Sequence, residues 1–583
     1  MFISPDRGLD QGDPLSNLVF PLTLAAPLQH LEDILTSQDR EAFVASYQDD
    51  VPTVVDETLL GVVAPTFRAA VAPLGLSLNE EKSPAYFQPS GDPAVCRAYS
   101  GARTTTPKVM RMSADGTLAT SPLIAGADGL EALIPSGSDE YAGILSRRTL
   151  FCERLVALHG AGLDRQLAQA LLRAQTAGDA QFIAAATGLP LTVRRQLDDL
   201  VCSVFWRLCG LDGSTMSETH RARLFQPLRD GGFGFSSAVH YADAALTVSW
   251  MDSLPQIVRE IGAPSLQALL ARIPSLEAHL TCLDQWVAGA LTRWYGTTPT
   301  DGMQHRPNQR SLAAANQMLA LHSAQASVPD PERAVWRSGG GPGAGTFLLL
   351  PRRPAHRLDD AHFRASVQLR FHAEVLPDGL RCPFSGSESG TCGAALDRCG
   401  AHSSTCLRGG HAVGRHDDLR DTLKECLDVH GAGVVTIEQV TPQAREDATA
   451  APRVDLVVCG VSGRTVRLDV AVTHALGVAP MRHRAAVKTD GAAARLLEDH
   501  KRGLYPGVRL TPAILETHGR MGIALLTFIR SAFAHLPADA RTAAVVDTYQ
   551  SLSATLQRRN AGMLLRAAAP AEASRQWKRR RSQ

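Results

Sequence analysis

Four cysteines fall within one short stretch, at Cys382, Cys392, Cys399 and Cys406, with His402 and His411 among them. The chain has 11 cysteines in 583 residues, so scatter alone would put roughly half a cysteine in that window. Such clustering points to a metal rather than to a disulfide scaffold. A Cys-x9-His-x3-Cys run is visible at Cys392, His402 and Cys406. Thiolates and a neutral imidazole suit Zn²⁺, which takes four ligands in a tetrahedron and can staple a segment too small for its own core. The spacing leaves the fourth ligand open among Cys382, Cys399 and His411.

Acidic residues form two further constellations. Tyr47-Gln48-Asp49-Asp50 precedes the apolar run Val51 to Val55, which predicts a hairpin with adjacent carboxylates at its tip. Carboxylates so placed hold a pair of divalent ions about 3.5–4 Å apart. Further on, Asp455 opens one β-branched run, Gly460 to Gly463 supplies a turn, and Asp469 lies on the next run. The two aspartates are expected to face one another across a hairpin, and Glu438, on the preceding apolar run, could add a third carboxylate. Mg²⁺ is the expected ion at both acidic sites.

Three ordered motifs carry a family resemblance. Gly8-Leu9-Asp10-Gln11-Gly12-Asp13-Pro14-Leu15-Ser16, then Tyr47-Gln48-Asp49-Asp50, then Leu74-Gly75-Leu76-Ser77-Leu78-Asn79-Glu80-Glu81-Lys82-Ser83 resemble the reverse transcriptases of non-LTR retrotransposons and group II introns. The resemblance implies that Gln11 and Gly12 lie against template and incoming nucleotide. It makes Asp49, and with it Asp50, a catalytic metal ligand, and puts Lys82 near the active-site sheet. The family's further metal-anchoring aspartate and its fingers lie upstream of the first motif, where this chain has almost no residues. The chain is therefore expected to be an N-terminally truncated polyprotein that does not polymerise DNA unaided.

The order Cys-Gly-x-x-Leu-Asp-x-x-Gly-x-His-x-x-x-Cys, followed by Arg415-His416-Asp417, resembles the zinc knuckle that precedes the endonuclease in site-specific elements of this kind. Those knuckles begin with a Cys-x-x-Cys pair, which makes Cys382 the first choice for the fourth ligand, with Gly-Ser-Glu-Ser-Gly as an insertion. The resemblance implies a grip on target DNA or element RNA. Asp455 and Asp469 would then be the acids of a restriction-like nuclease, although Val454 stands where that pattern has proline. Because Ala471 occupies the position two beyond Asp469, the lysine must come from elsewhere. Glu498-x-x-Lys501-x-x-x-Tyr505 resembles the family's helix with a displaced lysine, so Lys501 is the expected catalytic lysine and Lys488 the reserve. The leading expectation is a metal-dependent endonuclease with a reverse-transcriptase remnant. The alternative is a non-catalytic nucleic-acid-binding remnant. A maturase is a weaker third reading.

These residues need an α+β multi-domain frame to position them. Residues 1–110 are expected to form a partial polymerase palm, and 111–325, rich in Leu, Ala and Arg at helical spacing as in the runs from Arg154 to Arg173 and from Val193 to Leu211, a helical thumb or connection. Residues 326–375, with Ser-Gly-Gly-Gly-Pro-Gly-Ala-Gly, read as a linker and helical segment. The knuckle follows at 376–425, an α/β nuclease at 426–570 and a basic tail at 571–583. Gly231-Gly232-Phe233-Gly234-Phe235 resembles a stretch recurrent in these elements and reads as a turn between helices.

The composition, 44% hydrophobic and 20% charged with a formal net charge of +1, is that of a globular chain. It carries no overall basic excess for phosphate, so any such charge must be local. The tail with Arg575, Lys578, Arg579, Arg580 and Arg581 is one such place, read either as a solvated end or as a nuclear-import or phosphate-binding segment. No apolar run approaches the ~18–20 residues of a membrane span, so no membrane partner is expected. A nuclear site of action follows from the resemblance.

Overall fold

The computed structural model describes residues 16–39, 42–44, 53–54, 59–74, 76, 108–112, 118–122, 139–176, 179–260, 264–272, 280–281, 308–386, 390–440, 453–461, 464–477, 485–505 and 509–569. The chain is mixed α+β, mostly helical with small sheets. It divides into two compact units, Met1–Ala142 with Met251–Trp286, and Gly143–Trp250 with Val287–Gln583. Among the described residues no helix is long and apolar enough to cross a membrane.

The first unit holds helix α1 (Ser16–Gln38), strands β1 (Phe43–Val44) and β2 (Thr53–Val54), helix α2 (Leu60–Val71) and strands β3 (Lys108–Met112) and β4 (Leu118–Pro122). β1 and β2 pair antiparallel, Phe43 with Val54 and Val44 with Thr53. They flank the Tyr-Gln-Asp-Asp segment, and Leu31, Leu35 and Leu59 pack into a small core nearby. Asp49, Asp50, Gln11, Gly12 and Lys82 lie outside the described residues. The β3–β4 pairing crosses the boundary expected at 110.

The second unit takes up all but the first turn of α3 (Asp139–Gly160), then α4 (Arg165–Gln175), α5 (Asp179–Thr187), α6 (Leu191–Cys209), α7 (Glu218–Leu224) and the first half of α8 (Ala238–Glu260), whose end, with α9 (Leu266–Arg272), belongs to the first unit. The helical run expected from Arg154 to Arg173 is broken by Gly162 at φ 112° and restarted by Asp164, whose carboxylate caps the Leu167 N–H at 2.8 Å. An aromatic core binds these helices. Phe205, Phe233, Phe235, Phe347, Phe363 and Phe371 are all buried, and Phe233 stacks on Phe371 at 4.1 Å between centroids. The Gly-Gly-Phe-Gly-Phe turn thus delivers two rings to the core, each burial stabilising by about 2–3 kcal/mol.

The glycine run after α11 (Asp330–Ser338), which follows α10 (Gln309–Ser327), is not a linker. Gly339 to Gly341 and Gly343 to Gly345 are occluded, because the glycines admit neighbours that a side chain would displace. A Cβ on Gly343 would meet Met521 Cε at 2.8 Å, and one on Gly345 would meet Arg370 Nη2 at 3.0 Å. The run joins α12 (Asp360–Phe371) and the later sheet to the helical core. Residues 143–250 therefore belong to the same unit as the C-terminal region, and the expected border at 325 does not divide them.

The last part opens with short strands β5 (Ser385–Gly386) and β6 (Gly390–Thr391) and helix α13 (Ala401–Thr405), with a longer helix-and-strand run after them. These later elements are α14 (His411–Val429), β7 (Val434–Val440), β8 (Arg453–Val461), β9 (Arg464–Thr473), α15 (Ala492–Leu504) and β10 (Leu510–Glu516). The sheet order is β10-β9-β8-β7. β7–β8 and β8–β9 are antiparallel, while β10 runs parallel to β9 after crossing through α15. One face, with Leu456, Val458, Leu468, Val470 and Leu515, packs against α14, α16 (Ile523–Ala532) and α17 (Ala538–Ala568). α14 runs through the border expected at 425 and gives Leu427 to this core.

Candidate metal centre and acidic site

Cys382 is held by a backbone ladder in which its N–H donates to Ala394 O at 2.8 Å and Gly393 N–H donates to Cys382 O at 3.1 Å. His402 and Cys406 come from one turn of α13 and its C-terminal cap. These elements bring one ligand atom each from Cys382, Cys392, His402 and Cys406 within 4.8 Å of one another. Cys382 Sγ lies 3.6 Å from Cys406 Sγ, and Cys392 Sγ 3.5 Å from His402 Nε2. The cluster could bind a metal such as zinc. Cys399 instead turns its thiol to the His372 carbonyl at 3.3 Å, and His411 packs on Phe384 and meets Arg566 at 3.0 Å. Burial pushes the Cys382 thiol up to about 12. The Ala394 N–H, ahead of other donors, pulls the Cys392 thiol below its ordinary value. A bound divalent ion favours the thiolate form of both.

The acidic site is built by strand pairing. Leu456 pairs with Leu468 and Val457 with Arg467, which makes Asp455 and Asp469 next in line on adjacent strands. Where this pairing ends the two aspartates are neighbours, within reach of His416 from α14 at Asp455 and of Lys501 at Asp469. α15 packs on β9 and β10 and contributes Lys501, whose ammonium donates to Asp469 Oδ1 at 2.9 Å. The Tyr505 hydroxyl also faces this carboxylate. Asp469 Oδ2 is buried with no hydrogen-bond partner of ordinary geometry.

Asp455 Oδ2 accepts from His416 Nε2 at 3.1 Å and from the Val470 N–H at 2.6 Å. Burial acts to raise the Asp455 carboxyl, yet His416, the Val470 N–H and Lys501 together hold it below its usual range. For Asp469 burial prevails over Lys501, and the neighbouring Asp455 charge adds to it, so this carboxyl is raised. The hydrogen bond to Asp455 raises His416 above its ordinary value against the effect of burial. Burial, with Asp469 beside it, lifts the Tyr505 hydroxyl to about 12.

Glu438 lies on β7 between Ile437 and Gln439, whose partners are Leu456 and Val454; its side chain is outside the described residues. Glu498 and Glu516 do not join the acid pair. Each satisfies the start of a helix, Glu498 accepting from Ala524 N at 3.1 Å and Glu516 from Ala494 N at 3.0 Å. Lys501 is the lysine that reaches the pair, while Lys488 is exposed. His416, read from sequence only as part of an Arg-His pair, is the partner of Asp455. His474, a buried residue just beyond β9, carried no sequence signal at all.

No protein-family model matches this chain, and no curated protein matches it.

Proposed function

We propose that the C-terminal part of this chain is a metal-dependent nucleic-acid endonuclease of the restriction-like kind, carried by a non-LTR retrotransposon polyprotein. The Cys/His cluster would be its zinc knuckle, and the first unit a remnant of a reverse-transcriptase palm. Asp455 and Asp469 side by side on a hairpin, with Lys501 from the following helix on Asp469, is the observation that carries the reading. Two carboxylates and a lysine in that relation suit phosphodiester hydrolysis.

The residues present fit Mg²⁺. Asp469 Oδ2 is a buried carboxylate oxygen without a good partner, next to a second carboxylate held ionised by His416 and Val470 N–H; hard oxygen donors of this kind suit the ion. When bound there, Mg²⁺ supplies Lewis acidity and lowers the pKa of bound water. His416 orients the Asp455 carboxylate and Lys501 orients that of Asp469. The Lys501 ammonium also offers a fixed cation to the charge that develops on the phosphate. Tyr505 lies against the Asp469 carboxylate.

The proposed substrate is target DNA, with element RNA as the second nucleic-acid partner and the nucleus as the site of action. A nicking assay on supercoiled plasmid with Mg²⁺ tests it. Wild-type protein should convert supercoiled to open-circular DNA, and Asp469→Asn should lose at least about a hundredfold in rate while still binding DNA. DNA binding without nicking by the wild type would favour a non-catalytic binding role, and equal nicking by Asp469→Asn would place the chemistry elsewhere.

A further inference from the structure

At His416, the partner of Asp455, opens a cleft of about 160 Å³ whose walls come from both constellations. Thr405 and Leu407, which bracket Cys406, form one side, while Val472 of β9, with His474 just beyond it and Thr517 just beyond β10, forms another. Arg415 and His416 of α14 lie between them. No carboxylate is among the lining residues.

The hydrogen-bond inventory of the cleft is one-sided. Thr405 Oγ1 donates to Ala401 O and Thr517 Oγ1 to Thr473 O, so their hydrogens are engaged. His416 is engaged through both ring nitrogens, with Asp417 and Asp455. Two donors remain. Arg415, 6% exposed, uses Nη1 on Ser404 O and Asn560 Oδ1, but its Nε is buried without a partner. His474, also 6% exposed, accepts the Leu476 N–H at Nδ1. Burial lowers this imidazole to about 4, so at neutral pH its single proton must sit on Nε2. That Nε2–H is buried without a partner as well.

A buried donor without an acceptor destabilises the fold, and a bound acceptor removes that cost. A guanidinium and an imidazole N–H, with no acid among the walls, select an anion. We infer that this cleft is a phosphate subsite, taking a phosphodiester of the nucleic-acid strand next to the one held at Asp455 and Asp469. The inference rests on the nuclease reading and extends it. The strand passes from the acid pair along His474 and Arg415 to the segment held by the Cys/His cluster. The cluster's adjoining residues thereby become part of the substrate path.

Fluorescence anisotropy with a short fluorescein-labelled DNA duplex tests this, on the full chain with Ca²⁺ in place of Mg²⁺ to suppress cutting. His474→Leu should weaken binding about tenfold, since a lost hydrogen bond to a charged group is worth about that factor. His474→Gln, whose amide keeps a donor near Nε2, should stay within about threefold of wild type, which also guards against misfolding as the cause. Equal affinity for wild type and His474→Leu would overturn the subsite and leave the nuclease standing. Failure of the wild type to bind any duplex, together with failure to nick, would remove the reading beneath it. Inorganic phosphate that shifts the His474 ring nitrogens by NMR while duplex affinity ignores His474→Leu would indicate a free-anion pocket and likewise overturn the strand assignment.

Discussion

At the scale of single residues, the acid pair was legible because a turn between two β-branched runs determines which residues of the hairpin are neighbours. The lysine was different. No local spacing puts Lys501 on Asp469; a crossover helix does, and only the family resemblance pointed there. The partner of Asp455 is fixed by tertiary packing, with His416 39 residues away in sequence. Likewise, spacing left Cys382, Cys399 and His411 open, and the paired backbone around Cys382 and Cys392 brings Cys382 into the cluster. The charge balance at Asp469 gives a prediction independent of catalysis. Its side chain is 6% exposed and that of Lys501 22%. Lys501→Met strands a buried carboxylate, whereas Asp469→Asn leaves a lysine that can reach solvent. Without metal, Lys501→Met should cost on the order of 2 kcal/mol, and Asp469→Asn should be neutral or stabilising because it removes like-charge repulsion. Thermal melts in chelator measure both. Mg²⁺ should then raise the melting temperature of wild type but not of Asp469→Asn, and the reverse order of the two variants would contradict this account of the pair.

At the scale of elements, the strands around Asp455 and Asp469 and the helix from about Val193 were readable from periodicity, whereas the glycine run was misread. Glycine lets a chain bend freely and equally lets two backbones touch, and composition cannot tell these apart. Gly519, at φ 114° with Ala344 O only 2.5 Å from where a Cβ would sit, shows the second use, since it lets the turn after β10 press against the run. The start of α8 shows another tertiary device. Asp198 of α6 accepts from Ser237 Oγ at 2.6 Å and from the Ala238 N–H at 2.8 Å, so one helix caps the next. Burial lifts this carboxyl to about 6 although both donors pull the other way. A carboxyl raised in the folded state adds stability below its unfolded value near 3.9, and that contribution is lost as pH rises through about 6. The shift corresponds to roughly 2–3 kcal/mol. Asp198→Asn cannot titrate, so the stability gap between wild type and variant should shrink in favour of the variant from about pH 4 to 6 and level off above it. Urea unfolding at several pH values reads this. A gap that moves the other way would mean the helix start prefers the ionised carboxylate.

At the scale of the whole second unit, α17 decides how the metal cluster matters. Its 31 residues give Leu552 and Leu556 to the sheet core, Ala554 to the aromatic core, and Ala561, Met563, Leu564 and Ala567 to the core around Cys382 and Cys406. One rigid helix thus touches three cores that the sequence suggested were separate domains. Arg353, bound to Ser551 at 2.7 Å and Asp547 at 3.0 Å, and Asn560, bound to Thr517 O at 2.7 Å, fasten its sides. A cluster attached in this way is not an independent bead on a linker. Stripping a bound metal with phenanthroline, or substituting Cys392→Ser, should therefore lower the single cooperative transition of the unit, because metal-binding free energy is folding free energy. Hydrogen exchange should accelerate along 561–568 and, more weakly, through the Leu552 and Leu556 turns into the sheet. A separate early transition confined to 376–410, with exchange in the sheet unchanged, would show instead that the cluster folds alone and that α17 does not carry its stability to the acidic site.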